Sequence, residues 1–168
     1  MTTGPARGKS TDEREQDNAA GSPDRVRAVR NIVALYRELE QVARRTDLSL
    51  AQYRAMLFLR GGPRRAGEIA ASLAVKKPTV SALMATLRDN GWAVDLVDPT
   101  DGRVARIVLT NAGVRKLHEF EALLTGQLDA VLRGADMAPI LEAFRSINDV
   151  LRATRETRLA DMETKTDV

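Results

Sequence analysis

The hydrophobic period of the chain changes at Gly91, and this change narrows the possible folds more than any other feature. Before Gly91, apolar residues recur at intervals of three and four, which is typical of amphipathic helices. After it, "WAVDLV" and "VARIVL" are rich in strand-forming residues and are joined by the turn-forming "DPTDGR". Thr110 then has the character of a helix N-cap. The order predicts a mainly α-helical protein with one small β-hairpin.

Long helical patterns flank this region on both sides. Apolar residues predict a first helix over residues 24–46 and two further helices within residues 110–160, separated at Gly134. Their apolar faces are broad enough to predict burial against a second copy of the chain. Residues 1–23 contain almost no large apolar side chain, so we expect a disordered tail there, and we expect a flexible tail over residues 161–168.

The segment between the first helix and the hairpin contains three shorter helical patterns. Ser49 predicts the N-cap of one helix, which breaks at "GGP", and "AGEIAASLAV" predicts a second. Pro78 suits the first turn of a third helix, within "KKPTVSALMATLRDNGW". Short helix, tight turn, second helix and hairpin is the order of a winged helix-turn-helix, whose second helix enters the major groove of DNA. Residues 50–109 are therefore the predicted DNA-binding part of a domain over residues 24–160.

Charge and composition narrow the function classes. The net charge of the chain is only +3, but the segment from Arg60 to Trp92 contains six cationic residues and only two acidic ones. This local excess favours an anionic partner. The chain has no cysteine and a single histidine, which argues against thiolate or histidine metal sites and a Ser-His catalytic pair. We therefore predict a protein that is not an enzyme and needs no cofactor. Without a long apolar run or a signal-like N-terminus, a cytoplasmic location is expected.

The start of the third short helix carries the predicted DNA contacts. Lysine ammonium groups bind phosphate as point charges, hydroxyls can bond phosphate oxygens or base edges, and a helix N-terminus favours an anion. The lysines could equally belong to a solvated turn. The candidates in this segment are Lys76, Lys77, Thr79 and Ser81, with Arg88 adding positive charge to the same helix.

The hairpin tip supplies a second candidate contact. An arginine beside a DNA-binding helix can enter the narrow minor groove, where the negative potential is enhanced. Arg103 is the predicted inserting residue, and Asp101 could orient its guanidinium through a charge-assisted hydrogen bond. On its own, "DGR" is a common turn, and only its place after the helix pair gives it this meaning.

The sequence over about residues 25–155 resembles the MarR family of bacterial transcription regulators. The most specific part is the pattern Asp-x-Arg followed by Leu-Thr-x-x-Gly, formed here by Asp101, Arg103, Leu109, Thr110 and Gly113. The resemblance implies that Arg103 reaches the minor groove with support from Asp101. It also implies that Thr110 to Gly113 opens the helix leading to the dimer interface of an obligate homodimer. Such a dimer would read a palindromic or pseudo-palindromic operator.

Three positions depart from the family pattern. Ala74 lies in the inter-helix turn, where Gly is common, and is tolerated if it avoids a left-handed conformation. Lys76 replaces the usual Ser or Thr cap. Ala82 stands where many members have an arginine, which leaves base reading to Thr79, Ser81, the hairpin and contact of Ala82 with a thymine methyl.

The resemblance also implies a pocket for a small aromatic or other lipophilic effector near the dimerisation helices. Each candidate has an alternative: Tyr36 and Met56 can be core residues, and His118 can be solvated. The predicted function is a homodimeric, sequence-specific regulator, a repressor released by such an effector. The alternative is a winged-helix interaction or dimerisation module without specific DNA binding. The candidate effector contacts are Tyr36, Tyr53, Met56, Arg60 and His118.

Overall fold

The computed structural model describes residues 23–97 and 105–166, with Val97, Ala105 and residues 155–166 described by their backbone alone. Six helices and one antiparallel hairpin make up this part of the chain, so the predicted mainly helical fold with a small hairpin is confirmed. The elements are α1 (Pro23–Ala43), α2 (Leu50–Arg60), α3 (Ala66–Leu73), α4 (Lys77–Asp89), β1 (Ala93–Val97), β2 (Ala105–Leu109), α5 (Asn111–Val131) and α6 (Met137–Thr166).

Local signals set most of the helix ends. The Ser49 hydroxyl accepts a 3.2 Å hydrogen bond from the Gln52 amide, and the Gln52 side chain accepts one of 2.8 Å from the Ser49 amide. This reciprocal capping box begins α2. Pro78 lies in the first turn of α4, and Gly91 adopts a φ of +70° just after its end, where a residue with a side chain would be strained.

The hairpin is anchored to a third backbone segment. Strands β1 and β2 pair antiparallel, with Ala93 opposite Leu109 at one end and Val97 opposite Ala105 at the other. Arg64 exchanges two backbone hydrogen bonds with Ile107, of 3.0 and 2.8 Å, and so extends the ladder on the other side of β2. The hairpin therefore attaches to the loop that connects α2 to α3.

The chain divides into two compact units, residues 1–127 and 128–168. The core of the first unit lies among α2, α3, α4, the hairpin and the first part of α5. Its fully buried large side chains are Leu48, Met56, Leu59, Ile69, Val80, Met84, Leu87, Leu117 and Phe120.

The start of α5 is locked to the corner between α4 and β1. The Thr110 hydroxyl donates to the Gly91 carbonyl at 2.7 Å and accepts from the Gly113 amide at 3.0 Å, while the Thr110 amide donates to the Trp92 carbonyl. A Cβ on Gly113 would overlap the Trp92 carbonyl oxygen and lie 2.9 Å from its carbon. Thr110 is therefore the cap that the sequence predicts, and glycine is required at 113 by close packing.

Both terminal helices differ in length from the prediction. Helix α1 ends at Ala43 and not near Thr46, because residues 44–46 tighten into a turn in which the Thr46 hydroxyl donates to the Ala43 carbonyl at 3.0 Å. Helix α6 continues to Thr166, so residues 161–166 are helical where a flexible tail was predicted. "LADMETKT" contains good helix formers and no Gly or Pro, which explains the continuation. Residues 1–22 of the predicted N-terminal tail lie outside the described residues.

Ala74 adopts the left-handed conformation that the sequence analysis treated as the unfavourable case, with φ +55° and ψ +44°. The reason is the sharp end of α3: the Val75 amide bonds back to the Ala70 carbonyl at 3.1 Å, and the Ala74 amide to that of Ala71. This closure needs a left-handed residue, which is usually glycine. The turn between α3 and α4 therefore contains local strain.

Helix α1 leaves a row of apolar side chains exposed. Val29, Ile32 and Val33 expose 55–64% of their surface, with Val26 and Tyr36 continuing the row. None of the residues of α1 is buried.

In the second unit, α6 has a similar exposed row. Val150 is 67% exposed, and Leu141, Phe144, Ile147 and Leu151 lie at helical spacing along the same helix with 41–50% exposure. Among the described residues, no helix is both long and apolar enough to cross a membrane.

Candidate nucleic-acid interface

Helix α4 divides into a buried face and an exposed face. Val80, Met84 and Leu87 are almost completely buried in the core. The five residues predicted as contacts at the start of the helix are all exposed: Lys76, Lys77, Thr79, Ser81 and Ala82. Their contact with DNA stays a prediction.

The N-terminus of α4 lacks a side-chain cap. Lys76 occupies the N-cap position with φ −74° and ψ 152°, but its side chain makes no capping hydrogen bond. The first amide groups of a helix have no partners within the helix, and together with the helix dipole they attract anions. An uncapped N-terminus flanked by two exposed lysines is suited to a phosphate group.

A short turn joins α3 to α4, and Arg54 on α2 bonds the end of α3 just before this turn. The Arg54 guanidinium donates to the Leu73 carbonyl at 3.1 Å, at the end of α3. Only residues 74–76 then separate the two helices. The short turn and the burial of Val80, Met84 and Leu87 together orient α4 on the core.

Arg88 lies at the other end of α4. It lies eleven positions after Lys77, about 16 Å along a helix. Its guanidinium is 2.7 Å from a carboxylate oxygen of Asp95 on β1. Arg88 is thus paired across the corner between helix and hairpin, and its contact with DNA stays a prediction.

The predicted hairpin-tip residues, Asp101 and Arg103, lie outside the described residues. The strands that lead to them are paired through Val97 and Ala105.

The five predicted effector contacts have different environments. Met56 is completely buried in the core, which agrees with its alternative as a core residue, and His118 is exposed. The Tyr53 ring packs 5.2 Å from that of Phe120, centroid to centroid, and its burial raises the pKa of the Tyr53 hydroxyl. Arg60 pairs with Glu121 at 3.5 Å.

A cleft of about 440 Å³ lies where α1 ends and α2 begins. Of the five predicted contacts, Tyr36 lines it, with half of its surface exposed. Sequence reasoning missed Glu40, Arg44 and Asp47, which give the cleft a charged wall. The charged link "RRTDLS" between two helical patterns was the available signal.

Lys116 on α5 connects this cleft to the base of the hairpin. Its ammonium group pairs with the Asp47 carboxylate and lies 5.4 Å from the centroid of the Trp92 ring. Hydrogen bonding by Lys116 holds the pKa of Asp47 below its ordinary value. Sequence reasoning did not identify Lys116, because its two partners are distant along the chain.

Within residues 23–97 and 105–166, no group of three or more His, Cys, Asp or Glu side chains is arranged to hold a metal ion.

The helix pair, the exposed basic start of α4 and the hairpin define a winged helix-turn-helix protein. Residues 46–104 match the model of the MarR family. This match over the winged region agrees with the resemblance to the family found in the sequence. Members of that family are transcription regulators and not enzymes.

Solved structures share the fold at low sequence identity. The apo form of MarR from E. coli is 19% identical, with 73% of this chain and 95% of that one covered and a TM-score of 0.61. The transcriptional repressor CouR bound to a 23-mer DNA duplex is 20% identical, with 88% and 99% covered and a TM-score of 0.63. CouR from Rhodococcus jostii RHA1 bound to p-coumaroyl-CoA is 17% identical, with 76% and 87% covered and a TM-score of 0.60. No curated protein sequence matches the chain.

Proposed function

We propose that this protein is a homodimeric, sequence-specific DNA-binding transcription regulator, a repressor that a small effector releases from its operator. The observation that carries the proposal is the exposed, basic N-terminus of α4, which has no side-chain cap and belongs to a helix packed on the core through Val80, Met84 and Leu87. The DNA duplex bound to the structurally similar CouR supports DNA as the partner.

The exposed face of α4 supplies the major-groove contacts of the proposed complex. Lys76 and Lys77 neutralise phosphates at the uncapped helix end. Thr79 and Ser81 offer hydroxyls to bases or phosphates, and the methyl group of Ala82 suits a thymine methyl.

The hairpin tip supplies the minor-groove contact. Arg103 inserts its guanidinium into the groove, and Asp101 orients it. Paired strands up to Val97 and Ala105 give this tip a firm base.

A second copy of the chain covers the exposed apolar rows. Residues such as Ile32 on α1 and Ile147 on α6 expose about half or more of their surface, and an apolar row of this length on a water-soluble monomer favours association. A two-fold dimer would separate the two α4 helices by about 34 Å, one turn of DNA, and so read a pseudo-palindromic operator.

The effector is a small aromatic or other lipophilic molecule. The p-coumaroyl-CoA bound to CouR supports this class. In this chain the cleft at the end of α1 offers the Tyr36 ring for stacking and the Arg44 guanidinium for an acidic group. Binding there releases DNA to the extent that the effector prefers the conformation that does not bind DNA.

Fluorescence anisotropy tests the proposal. The protein is titrated into the DNA upstream of its own gene and into a scrambled duplex, over a salt series. We expect a preference of about a thousandfold for the upstream DNA, with binding to both falling steeply as salt rises. Equal, weak binding to both would favour the alternative of an interaction module.

Two variants assign the contacts. Lys77→Ala should lower the salt slope by about one on both duplexes, since it removes one phosphate contact. Arg45→Ala removes the same charge from an exposed position after α1 and is the control. Arg103→Ala should weaken binding to the upstream DNA more than to the scrambled duplex. Unchanged affinity at unchanged thermal stability would contradict the role of Arg103.

A further inference from the structure

An ion pair spans the corner where the exposed helix meets the hairpin. Arg88 is in the last turn of α4, and Asp95 is the third residue of β1. The guanidinium Nη2 and the carboxylate Oδ1 are 2.7 Å apart, and the two side chains are 36% and 43% exposed. The pair is a side-chain link between the two elements that the proposed function places on DNA.

Asp95 is unusual for its position in the strand. It pairs directly with Ile107, which is 3% exposed, and residues opposite each other in an antiparallel ladder share a face. Ala93, two residues earlier on the same face, is also buried. Asp95 therefore places a carboxylate beside these buried side chains, while its own side chain stays 43% exposed and pairs with Arg88.

Arg88 is held closely at this site. Its Nε is buried and makes no hydrogen bond to a described residue, although the side chain as a whole is 36% exposed. A cation in the last turn of a helix is also favoured by the helix dipole. The planar guanidinium loses little freedom when it bonds a carboxylate, which makes Arg well suited to fixing a geometry.

The backbone of the corner between α4 and β1 is short, and the hairpin is also held at β2 by the backbone hydrogen bonds between Arg64 and Ile107. Only residues 90–92 separate α4 from β1, and the Trp92 amide bonds to the Leu87 carbonyl at 2.8 Å. These bonds define where the strand leaves the helix. The link from Arg88 to Asp95, seven residues apart, braces the strand diagonally and opposes rotation of the hairpin about the corner.

We propose that Arg88 and Asp95 are a positioning pair that sets the angle between α4 and the hairpin, and that Arg88 acts through Asp95 and not by binding DNA. This rests on the proposed function. A helix in the major groove and a hairpin tip in the minor groove can bind together only at one relative angle. A protein that already has this angle loses less entropy on binding its operator.

Neutralising Asp95 separates this role from a direct DNA contact. If Arg88 bound phosphate, Asp95→Asn would free it and remove a negative charge, so binding would tighten. If the pair sets the angle, Asp95→Asn should weaken binding to the preferred duplex by about threefold to tenfold, in spite of the added positive charge. Binding to a random duplex, which does not need the angle, should stay the same or tighten slightly.

Asp89→Asn is the matched control. Asp89 is exposed on the same turn of α4, and the change in charge is identical. We expect it to leave the preference for the selected duplex unchanged. The duplex used is the one that the wild type enriches from a randomised library, compared with a scrambled duplex of equal length.

Exchanging the two charges provides the rescue test. Arg88→Asp alone should lose affinity for the selected duplex, and Arg88→Asp combined with Asp95→Arg should recover it to within about threefold of the wild type. A phosphate contact by Arg88 would not be recovered, because the arginine would then lie on the strand. Tighter binding by Asp95→Asn, or a double variant no better than Arg88→Asp, would overturn the proposal.

Amide hydrogen exchange, measured without DNA, tests the positioning pair independently of the proposed function. Asp95→Asn should speed exchange in β1 and β2 while leaving exchange in the core of α2 and α5 unchanged. Unchanged exchange in the hairpin would overturn the positioning role. Wild-type protein without any DNA preference would instead overturn the proposed function. The exchange result would still test whether the Arg88–Asp95 pair holds the hairpin in place.

Discussion

Two regions of this chain use the same helical periodicity in opposite ways. In the winged region, the apolar residues of α2, α3 and α4 pack into one core, in which Met56, Leu87 and Leu117 are fully buried. In α1 and α6, apolar residues at the same spacing remain largely exposed, Ile32 at 64% and Val150 at 67%. An amphipathic pattern indicates that one face of a helix will be buried, but it does not indicate whether the same chain or a second chain buries it. The winged region is complete in one chain, and the terminal helices are expected to be completed by a second.

The largest expected effect is a loss of association through the terminal helices. Ile32→Glu and Ile147→Glu place a charge in each exposed apolar row. At a dimer interface each should weaken association by about 3 kcal/mol, more than a hundredfold, since a desolvated charge without a partner is costly. Sedimentation equilibrium measures the dissociation constant, and far-UV circular dichroism checks that the winged region stays folded.

Each of these variants has a neighbouring control. Asn31→Glu and Asn148→Glu add the same charge one residue away, at exposed polar positions. Dimers as tight as those of the wild type in all four variants would show that the apolar rows are not the interface.

The next effect contrasts two glycines of α5. Gly113→Ala forces a Cβ against the Trp92 carbonyl, so we expect destabilisation of about 2 to 3 kcal/mol. Gly126→Ala meets nothing within 4 Å and should stabilise the protein by about 0.5 to 1 kcal/mol, through helix propensity. Urea unfolding at one protein concentration compares them. If both substitutions changed the free energy of unfolding in the same direction, close packing at Gly113 would be contradicted.

A smaller effect of opposite sign is expected at Ala74. Its left-handed conformation costs about 1 to 2 kcal/mol relative to glycine, and the greater freedom of glycine in the unfolded chain offsets part of this. Ala74→Gly should therefore raise the free energy of unfolding by about 0.5 to 1 kcal/mol. Thermal unfolding measures the gain, and a lower melting temperature would show that the turn is not strained.

The smallest effect is a pH dependence at the link between the cleft and the hairpin base. The pKa of Asp47 is lowered in the folded protein, so its pair with Lys116 contributes stability above the ordinary carboxyl pKa of 3.8 and loses it as pH falls through the folded value. The Asp47 side chain is 60% exposed, which keeps the contribution small. Asp47→Asn should lower stability at pH 6, and the difference from the wild type should shrink as pH falls below 3.8 and through the lowered folded pKa. A constant difference between the two proteins across this range would exclude the ion pair as its cause.

Features encoded by neighbouring residues were open to prediction from the sequence. The capping box at Ser49 depends on residues three apart, and Thr110 with Gly113 forms a helix start within four residues. Gly91 marks the corner because its left-handed φ suits the end of a helix. The buried face of α4 followed from periodicity, since Val80, Met84 and Leu87 recur at helical intervals and all three are buried.

The sequence by itself thus determined the order of helices and hairpin, their caps and the exposed basic surface, because each depends on residues within a turn or two of one another. Only the tertiary structure decided that Arg88 faces Asp95, that Lys116 lies between Asp47 and Trp92, and that Ala74 must be left-handed. These features depend on the angles at which elements meet. Packing of the whole core sets those angles, and no local pattern of residues records them.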